Sequence, residues 1–256
     1  MRQMLLAFLT LVAVSSVVWA TPDINSAVIH TRIFNDCPTS IVTFDNSYPG
    51  SIWIQDELNC TNGYANLHIW RLSEDGVNDA VFNNEDSFSL AADLVISGTG
   101  EAESGLQIAP WWSHDVDGRF NVRSTDGEIA CFGGRLPFYS FTATYGLNYV
   151  KGDQIHLEMI YLPNDLNETN PGTIEYKLTY NNVEYTSGQL PFDQGNEGEG
   201  HGIWGILSDA RVGAHIQTFV SYGGTVRATW MNIDYQIIGA IPVQSTSWGR
   251  IKSLYR

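Results

Sequence analysis

Apolar and polar side chains alternate in stretch after stretch of this chain. The cleanest case is residues 152–163, Gly-Asp-Gln-Ile-His-Leu-Glu-Met-Ile-Tyr-Leu-Pro. Ile155, Leu157, Met159 and Tyr161 fall at every second position, the period of a β-strand with one buried face. Gln154, His156, Glu158 and Ile160 take the other face, so three polar groups that donate, accept or titrate line up together. Such a face is either a solvated outer surface or the floor of a binding cleft.

The same period recurs along the chain. Strands are expected at 26–34, 40–44, 51–54, 64–72, 87–96, 105–108, 119–123, 128–132, 173–180, 183–187, 201–207, 213–222 and 229–238. Turn residues separate them, among them Asp126-Gly127 and Asn181-Asn182. No stretch carries a convincing helical period, the last ten residues aside. Many short strands at hairpin spacing predict an all-β chain, an antiparallel β-sandwich or barrel. Ile155, Leu157, Met159, Met231, Ile233 and Tyr235 are the expected core.

The first twenty residues read differently. Arg2 precedes an apolar run, and Val18-Trp19-Ala20 offers a small-residue cleavage site, which is the pattern of a secretory signal peptide. The run is short for a membrane anchor. The expected organisation is a signal peptide at 1–20, one sandwich domain at 21–240, and a linker with a basic tail at 241–256. Loss of Arg2 with the leader moves the net charge from −15 to −16. That balance suits a secreted, extracellular protein, with no transmembrane segment, and opposes nucleic acid as a partner. In an oxidising compartment Cys37 and Cys60 are expected to pair, while Cys131 points inward as a buried free thiol.

The polar phases of the strands supply the candidate functional residues. They are Arg119, Asn121 and Arg123; Gln154, His156 and Glu158; His215 and Gln217; and Trp230 with Asn232 and Asp234. Arginine, amide and imidazole beside tryptophan suit a glycan on a concave sheet face, since polar groups pair with hydroxyls and aromatic faces cover sugar rings. The competing reading is an ordinary solvated sheet surface. Arg119, Arg123, Gln154, His156, His215 and Gln217 are expected to share one face of one sheet. No cofactor is required. Calcium is the ion that Asp193, Asn196, Glu197 and Glu199, or Asp115 and Asp117 near Glu101 and Glu103, would take. The absence of EF-type spacing favours a solvated acidic loop.

Two family resemblances follow from particular runs. Gly105-Leu-Gln-Ile-Ala-Pro-Trp-Trp112, Gly202-Ile-Trp-Gly-Ile-Leu207 and Ala228-Thr-Trp-Met-Asn-Ile-Asp-Tyr235 resemble the concanavalin A-like lectin and glucanase superfamily (LamG-like jelly rolls). That resemblance implies a jelly-roll sandwich with a concave face. The Glu-x-Asp-x-x-Glu strand of its glucanases has no counterpart here, which argues against paired-carboxylate hydrolysis. A narrower resemblance is to alginate lyases of polysaccharide lyase family seven. Arg119-Phe-Asn-Val-Arg123 resembles their Arg-x-Glu-Leu-Arg motif with Asn121 for glutamate. Gln154-Ile-His156 matches their Gln-Ile-His. Arg211-Val-Gly-Ala-His-Ile-Gln217 resembles their third motif with His215 in place of tyrosine. The resemblance implies β-elimination on a uronate polymer, with Arg119 and Gln154 neutralising the carboxylate and His156 as base. The missing tyrosine leaves the acid role to His215, if its pKa were raised, or to Tyr222. Three readings therefore stand: a carbohydrate-binding sandwich, favoured; a polysaccharide lyase; and a surface module with no glycan site.

Overall fold

The computed structural model describes residues 21–108, 118–133, 135–192, 204–207 and 209–239. The expected leader, the expected tail and the acidic loop at 193–200 lie outside them. Among the described residues no helix is long and apolar enough to cross a membrane.

Among the described residues, fourteen strands form two antiparallel seven-stranded sheets. Sheet A runs β1 (Ser26–Asn35), β4 (Ala65–Ser73), β13 (Val212–Phe219), β6 (Ala102–Ile108), β7 (Gly118–Arg123), β8 (Ile129–Phe132) and β9 (Tyr139–Ser140). Sheet B runs β12 (Val183–Pro191), β11 (Thr173–Tyr180), β10 (Gln154–Leu162), β5 (Phe88–Gly98), β14 (Gly224–Ile237), β3 (Ser51–Leu58) and β2 (Ile41–Ser47). The chain crosses between sheets from β3 to β4, β5 and β6. It then returns to insert β13 between β4 and β6, and β14 between β3 and β5. This is the antiparallel jelly-roll sandwich, and the inserted pair places late-sequence strands at its centre.

The alternation of β10 holds along its length: Ile155, Leu157, Met159 and Tyr161 are fully buried in the main core. β11 follows with Ile174, Tyr176, Leu178 and Tyr180, and turns into β12 through Asn181 and Asn182, both at positive φ. That backbone pair is what a tight hairpin needs and asparagine tolerates. Cys37 and Cys60 are bonded with Cα atoms 5.7 Å apart, and Cys131 is a buried free thiol. Burial alone pushes the Cys131 thiol well up, so it stays protonated and unreactive.

Three local expectations are corrected. A five-residue helix, α1 (Phe141–Tyr145), follows β9, with the Ser140 side chain accepting from the Ala143 amide and Gly146 closing it in the left-handed region. It is too short for any period to show. Residues 204–207, expected to end a strand, form a bend. The phase of β14 also flips: Trp230 is fully buried and Met231 is turned outward, half-buried. The cause is a bulge. Asn232 sits at φ 50°, and the pairing with β5 slips between Met231 and Asp234. The amides of Asn232 and Ile233 bond instead to the carbonyls of Gly50 and Pro49, at 3.0 and 2.9 Å. An extra residue in one strand inverts the alternation across it. Ile233 is therefore inward as expected, while the ligand role expected of Trp230 is not open to it. Its ring stands edge-on to Trp70 in the core, centroids 5.9 Å apart.

One end of the interior is polar. Asp56 shares the inward phase of β3 with Ile52 and Ile54, and meets Asn66 and His68 of β4 and Thr218 of β13. Its Oδ2 accepts from Asn66 Nδ2 (2.8 Å), Thr218 Oγ1 (3.0 Å) and His68 Nε2 (3.2 Å). The Arg32 amide donates to His68 Nδ1 at 3.0 Å, which leaves the ring proton on Nε2, facing Asp56. Arg32 is itself at φ 61°, where β1 slips its register against β4.

Candidate functional site

The strand registers map the outer face of sheet A as parallel rows. One row reads His30, Ile69, His215, Gly105, Asn121, Ala130 from β1 to β8. The next reads Phe34, Leu67, Gln217, Glu103, Arg123. The row on the other side reads Val28, Arg71, Gly213, Gln107, Arg119, Phe132. Arg119, Asn121, Arg123, His215 and Gln217 thus meet on one face, as their alternation implied. Glu103 and Gln107 of β6 join them. Glu103 was expected only in an acidic cluster, and Gln107 is not among the expected site residues. Their alternation with Leu106 and Ile108 was the signal available.

These residues are linked into one network. Arg119 Nη1 donates to Glu103 Oε1 at 2.9 Å and to Gln217 Oε1 at 3.3 Å. Asn121 Nδ2 donates to Glu103 Oε2 at 3.3 Å, which turns the amide oxygen toward His215 Nε2, 3.0 Å away. Gly105 stands between His215 and Asn121 in this row, and a Cβ there would meet the Phe120 carbonyl oxygen of β7. The face is buried: Arg119, Asn121, Glu103, Gln107, His215 and Gln217 are each at most 8 % exposed. An ordinary outer sheet face would be solvated.

His215 is the most informative member. Burial, reinforced by the nearby Arg119 charge, pushes its pKa well down, so the ring is neutral. This rules out the acid role that depended on a raised pKa. With the Nε2 proton donated to Asn121, Nδ1 carries a lone pair, and that atom is buried with no hydrogen-bond partner among the described residues. Buried acceptors are rarely left this way. The arginines face carboxylates. Arg119 faces Glu103, and Arg123 faces Glu103 (3.5 Å), Asp126 (3.1 Å) and Glu128 (2.8 Å). Burial opposes the charge of Arg123, but those carboxylates outweigh it and raise its pKa.

The Gln154-Ile-His156 motif lies elsewhere. β10 belongs to sheet B, so Gln154, His156 and Glu158 do not join Arg119, Arg123, His215 and Gln217 on one sheet; that expectation is corrected. Strand pairing in this fold is non-local, and the alternation of a strand gives its phase but not its sheet. His156 instead lines an open cleft of about 490 Å3 with Asp93, Asp153, Gln154, Thr179, Asn181 and Asn182. Its Nδ1 lies 2.8 Å from Asp93 Oδ1, and Asn232 Nδ2 donates to Asp93 Oδ2 at 2.8 Å. Asp93, absent from the expected set, is what orients His156. The lining contains two carboxylates and neither arginine nor lysine. Glu158 stands 4.0 Å from Lys177 on the same strand face.

Tyr222, the other acid considered, packs its ring near Phe219, centroids 6.3 Å apart. Glu101 is held by Lys151 at 2.6 Å and by Ser124. Among the described residues no group of three or more His, Cys, Asp or Glu side chains is placed to hold a metal ion. Asp115, Asp117, Asp193, Asn196, Glu197 and Glu199 lie outside the described residues.

The fold and the polar face define a jelly-roll β-sandwich with a built network on the outside of one sheet. No family model matches the sequence, and no curated protein does. Among solved structures, the chain is similar to family 7 alginate lyase A1-II' in complex with a substrate, at 12% identity and TM-score 0.44, covering 76% of this chain and 81% of that one. It is similar to the marine PL7 alginate lyase AlyA1 from Zobellia galactanivorans, at 9% identity and TM-score 0.42, covering 76% and 80%. It is also similar to the carbohydrate recognition domain of Emp46p, at 12% identity and TM-score 0.38, covering 76% and 87%.

Proposed function

We propose that this chain is a secreted carbohydrate-binding protein whose glycan site is the outer face of sheet A, around Asn121, His215 and Gln217. The observation that carries the reading is the bare, buried Nδ1 of His215. A neutral imidazole acceptor beside Asn121 and Gln217 has the chemistry to accept from a sugar hydroxyl, and reaching Nδ1 requires the buried face to open. Arg119 and Glu103 hold the amides and the ring in place. Because both arginines already face carboxylates, the face is close to neutral, and hydroxyls suit it better than a uronate carboxylate. Trp230 takes no part, and His156, Gln154 and Glu158 belong to a separate surface.

Polysaccharide lysis is the second reading, and one observation favours it. A neutral His215 with a free Nδ1 near Arg119 has the form of a general base for β-elimination. The rows that hold His215 contain no tyrosine to protonate the leaving oxygen. A panel of immobilised neutral and acidic polysaccharides tests both readings. Wild-type protein is expected to be retarded on a neutral member, and His215→Gln and Asn121→Ala to lose that retardation while keeping a cooperative unfolding transition. Incubation with uronate polymers is expected to give no rise in the ultraviolet absorbance of an unsaturated product. Such a rise, abolished by His215→Gln, would replace the binder with the lyase. No retardation and no absorbance would leave a module without a glycan site.

A further inference from the structure

At one end of the polar face an exposed aromatic cluster continues the line of β13. Phe219 keeps the outward phase of His215 and Gln217, and four residues of strand put it about 14 Å from His215 along the sheet. Tyr64 stands edge-on to Phe219 with centroids 6.3 Å apart, and Tyr222 tilts against Phe219 at 6.3 Å. Tyr64 and Tyr222 are 67% and 61% exposed, while Phe219 is half-buried.

The frame beneath these rings is pinned. Asp36 Oδ2 accepts the Tyr64 amide at 2.6 Å, and the Tyr64 carbonyl accepts from the Val220 amide at 3.0 Å. The Phe219 amide donates to the Glu101 carbonyl at 2.9 Å. Val220, next to Phe219 in the chain, packs with Leu58 and the Cys37–Cys60 disulfide in a small core of its own. A short 3-10 turn, Val220–Tyr222, then closes at Gly223, whose φ of 60° favours glycine. Exposed aromatic faces on a fixed backbone lose little freedom when they are covered.

We infer that Tyr64, Phe219 and Tyr222 form a stacking subsite for a pyranose ring of the same glycan, so that the protein takes an oligosaccharide lying along β13 rather than a single sugar. The inference rests on the glycan site proposed above and extends it by one end. The two parts divide the chemistry: His215, Asn121 and Gln217 read hydroxyls, and the rings cover the apolar C–H face of a sugar further along the chain. A second copy of this protein is the alternative occupant of the cluster.

The test is a length series. Oligosaccharides of two to six residues are prepared from whichever immobilised polysaccharide retards the protein, and their affinities are measured by calorimetry for wild type, Tyr222→Ala, Tyr222→Phe, Tyr64→Ala and His215→Gln. Wild-type affinity is expected to climb with length until the aromatic cluster is reached. Tyr222→Ala and Tyr64→Ala should weaken the longer oligosaccharides about three- to tenfold and leave the shortest unchanged. Tyr222→Phe should behave as wild type, since the ring rather than the hydroxyl is used. Loss of all binding in His215→Gln with no length-dependent effect in the tyrosine variants would overturn the subsite and leave the glycan site standing. Retention unaffected by His215→Gln, or no retention on any polysaccharide, would remove the underlying site and the subsite with it. A concentration-dependent dimer that Tyr222→Ala dissociates would assign the cluster to self-association and overturn the inference.

Discussion

Replacing Asp56 by alanine removes the single acceptor that holds the polar end of the sandwich together. Asn66, His68 and Thr218 all donate to its Oδ2, and all four residues are fully buried. Each donor left without an acceptor costs about 1–3 kcal/mol, but the three losses do not add freely. Asn66 keeps Ser40 Oγ at 3.1 Å as a second partner, while the Nε2 proton of His68 has no other acceptor among the described residues. Breaking a buried, hydrogen-bonded charge site from one side costs about 3–5 kcal/mol, and that is the expected loss for Asp56→Ala. Urea unfolding followed by tryptophan fluorescence reads it, since Trp70 and Trp230 lie in the adjoining core. The single variants Asp56→Ala and His68→Ala should be strongly non-additive, because either alone breaks the same bond. A loss under about 1 kcal/mol for Asp56→Ala, or strict additivity of the pair, would refute the network as the organiser of this end of the fold. Acid gives an independent check. Burial would raise the Asp56 carboxyl, but hydrogen bonds from His68, Ser40 and Asn66 outweigh it and hold the pKa below its ordinary value. A depressed carboxyl contributes stability that is present above its unfolded pKa and lost as pH falls through the folded one. The acid-induced loss of stability should therefore shrink in Asp56→Asn.

Other outcomes follow from the same structure. Cys37→Ser with Cys60→Ser opens a loop of sequence separation 23, which costs about 3.4 kcal/mol by chain entropy and is read by thermal unfolding. Trp230→Ala should destabilise by about 3–5 kcal/mol through the cavity it leaves, and should not alter glycan affinity in the fraction that remains folded. His215 has a depressed pKa, so the unfolded chain takes up its proton first. Its contribution to stability is complete above the unfolded value of about 6.5 and declines below it, and His215→Gln should flatten the stability profile in that range.

Much of the fold was legible because period-two alternation survives in β10, β11 and β7, where nothing interrupts the pairing. The Asn181-Asn182 turn and the Cys37–Cys60 bond were legible from local chemistry. What was not legible is non-local. The Gln154-Ile-His156 run has the right residues in the right phase, yet its strand is drawn into sheet B by pairing with β5 and β11. Trp230 was misplaced by one bulged residue, Asn232, whose positive φ depends on the turn at Pro49 and Gly50. The candidate site was half legible: Arg119, Asn121, Arg123, His215 and Gln217 were named, but Glu103, which joins them, was not read as part of the face. Nor does alternation reveal that an outward face is buried, since it separates the two faces without saying what each one meets.

The central claim is that the glycan meets His215 on sheet A. Nitrogen-15 spectra of histidine-labelled protein test it most directly, with His215→Gln and His156→Gln used to assign the two rings. Free protein should show His215 as a neutral ring with a bare Nδ1. Titration with the retained oligosaccharide should move that nitrogen upfield, as an accepted hydrogen bond does, and leave His156 unchanged. A titration that moves His156 and leaves His215 still would place the ligand in the sheet B cleft beside Asp93 and contradict the account.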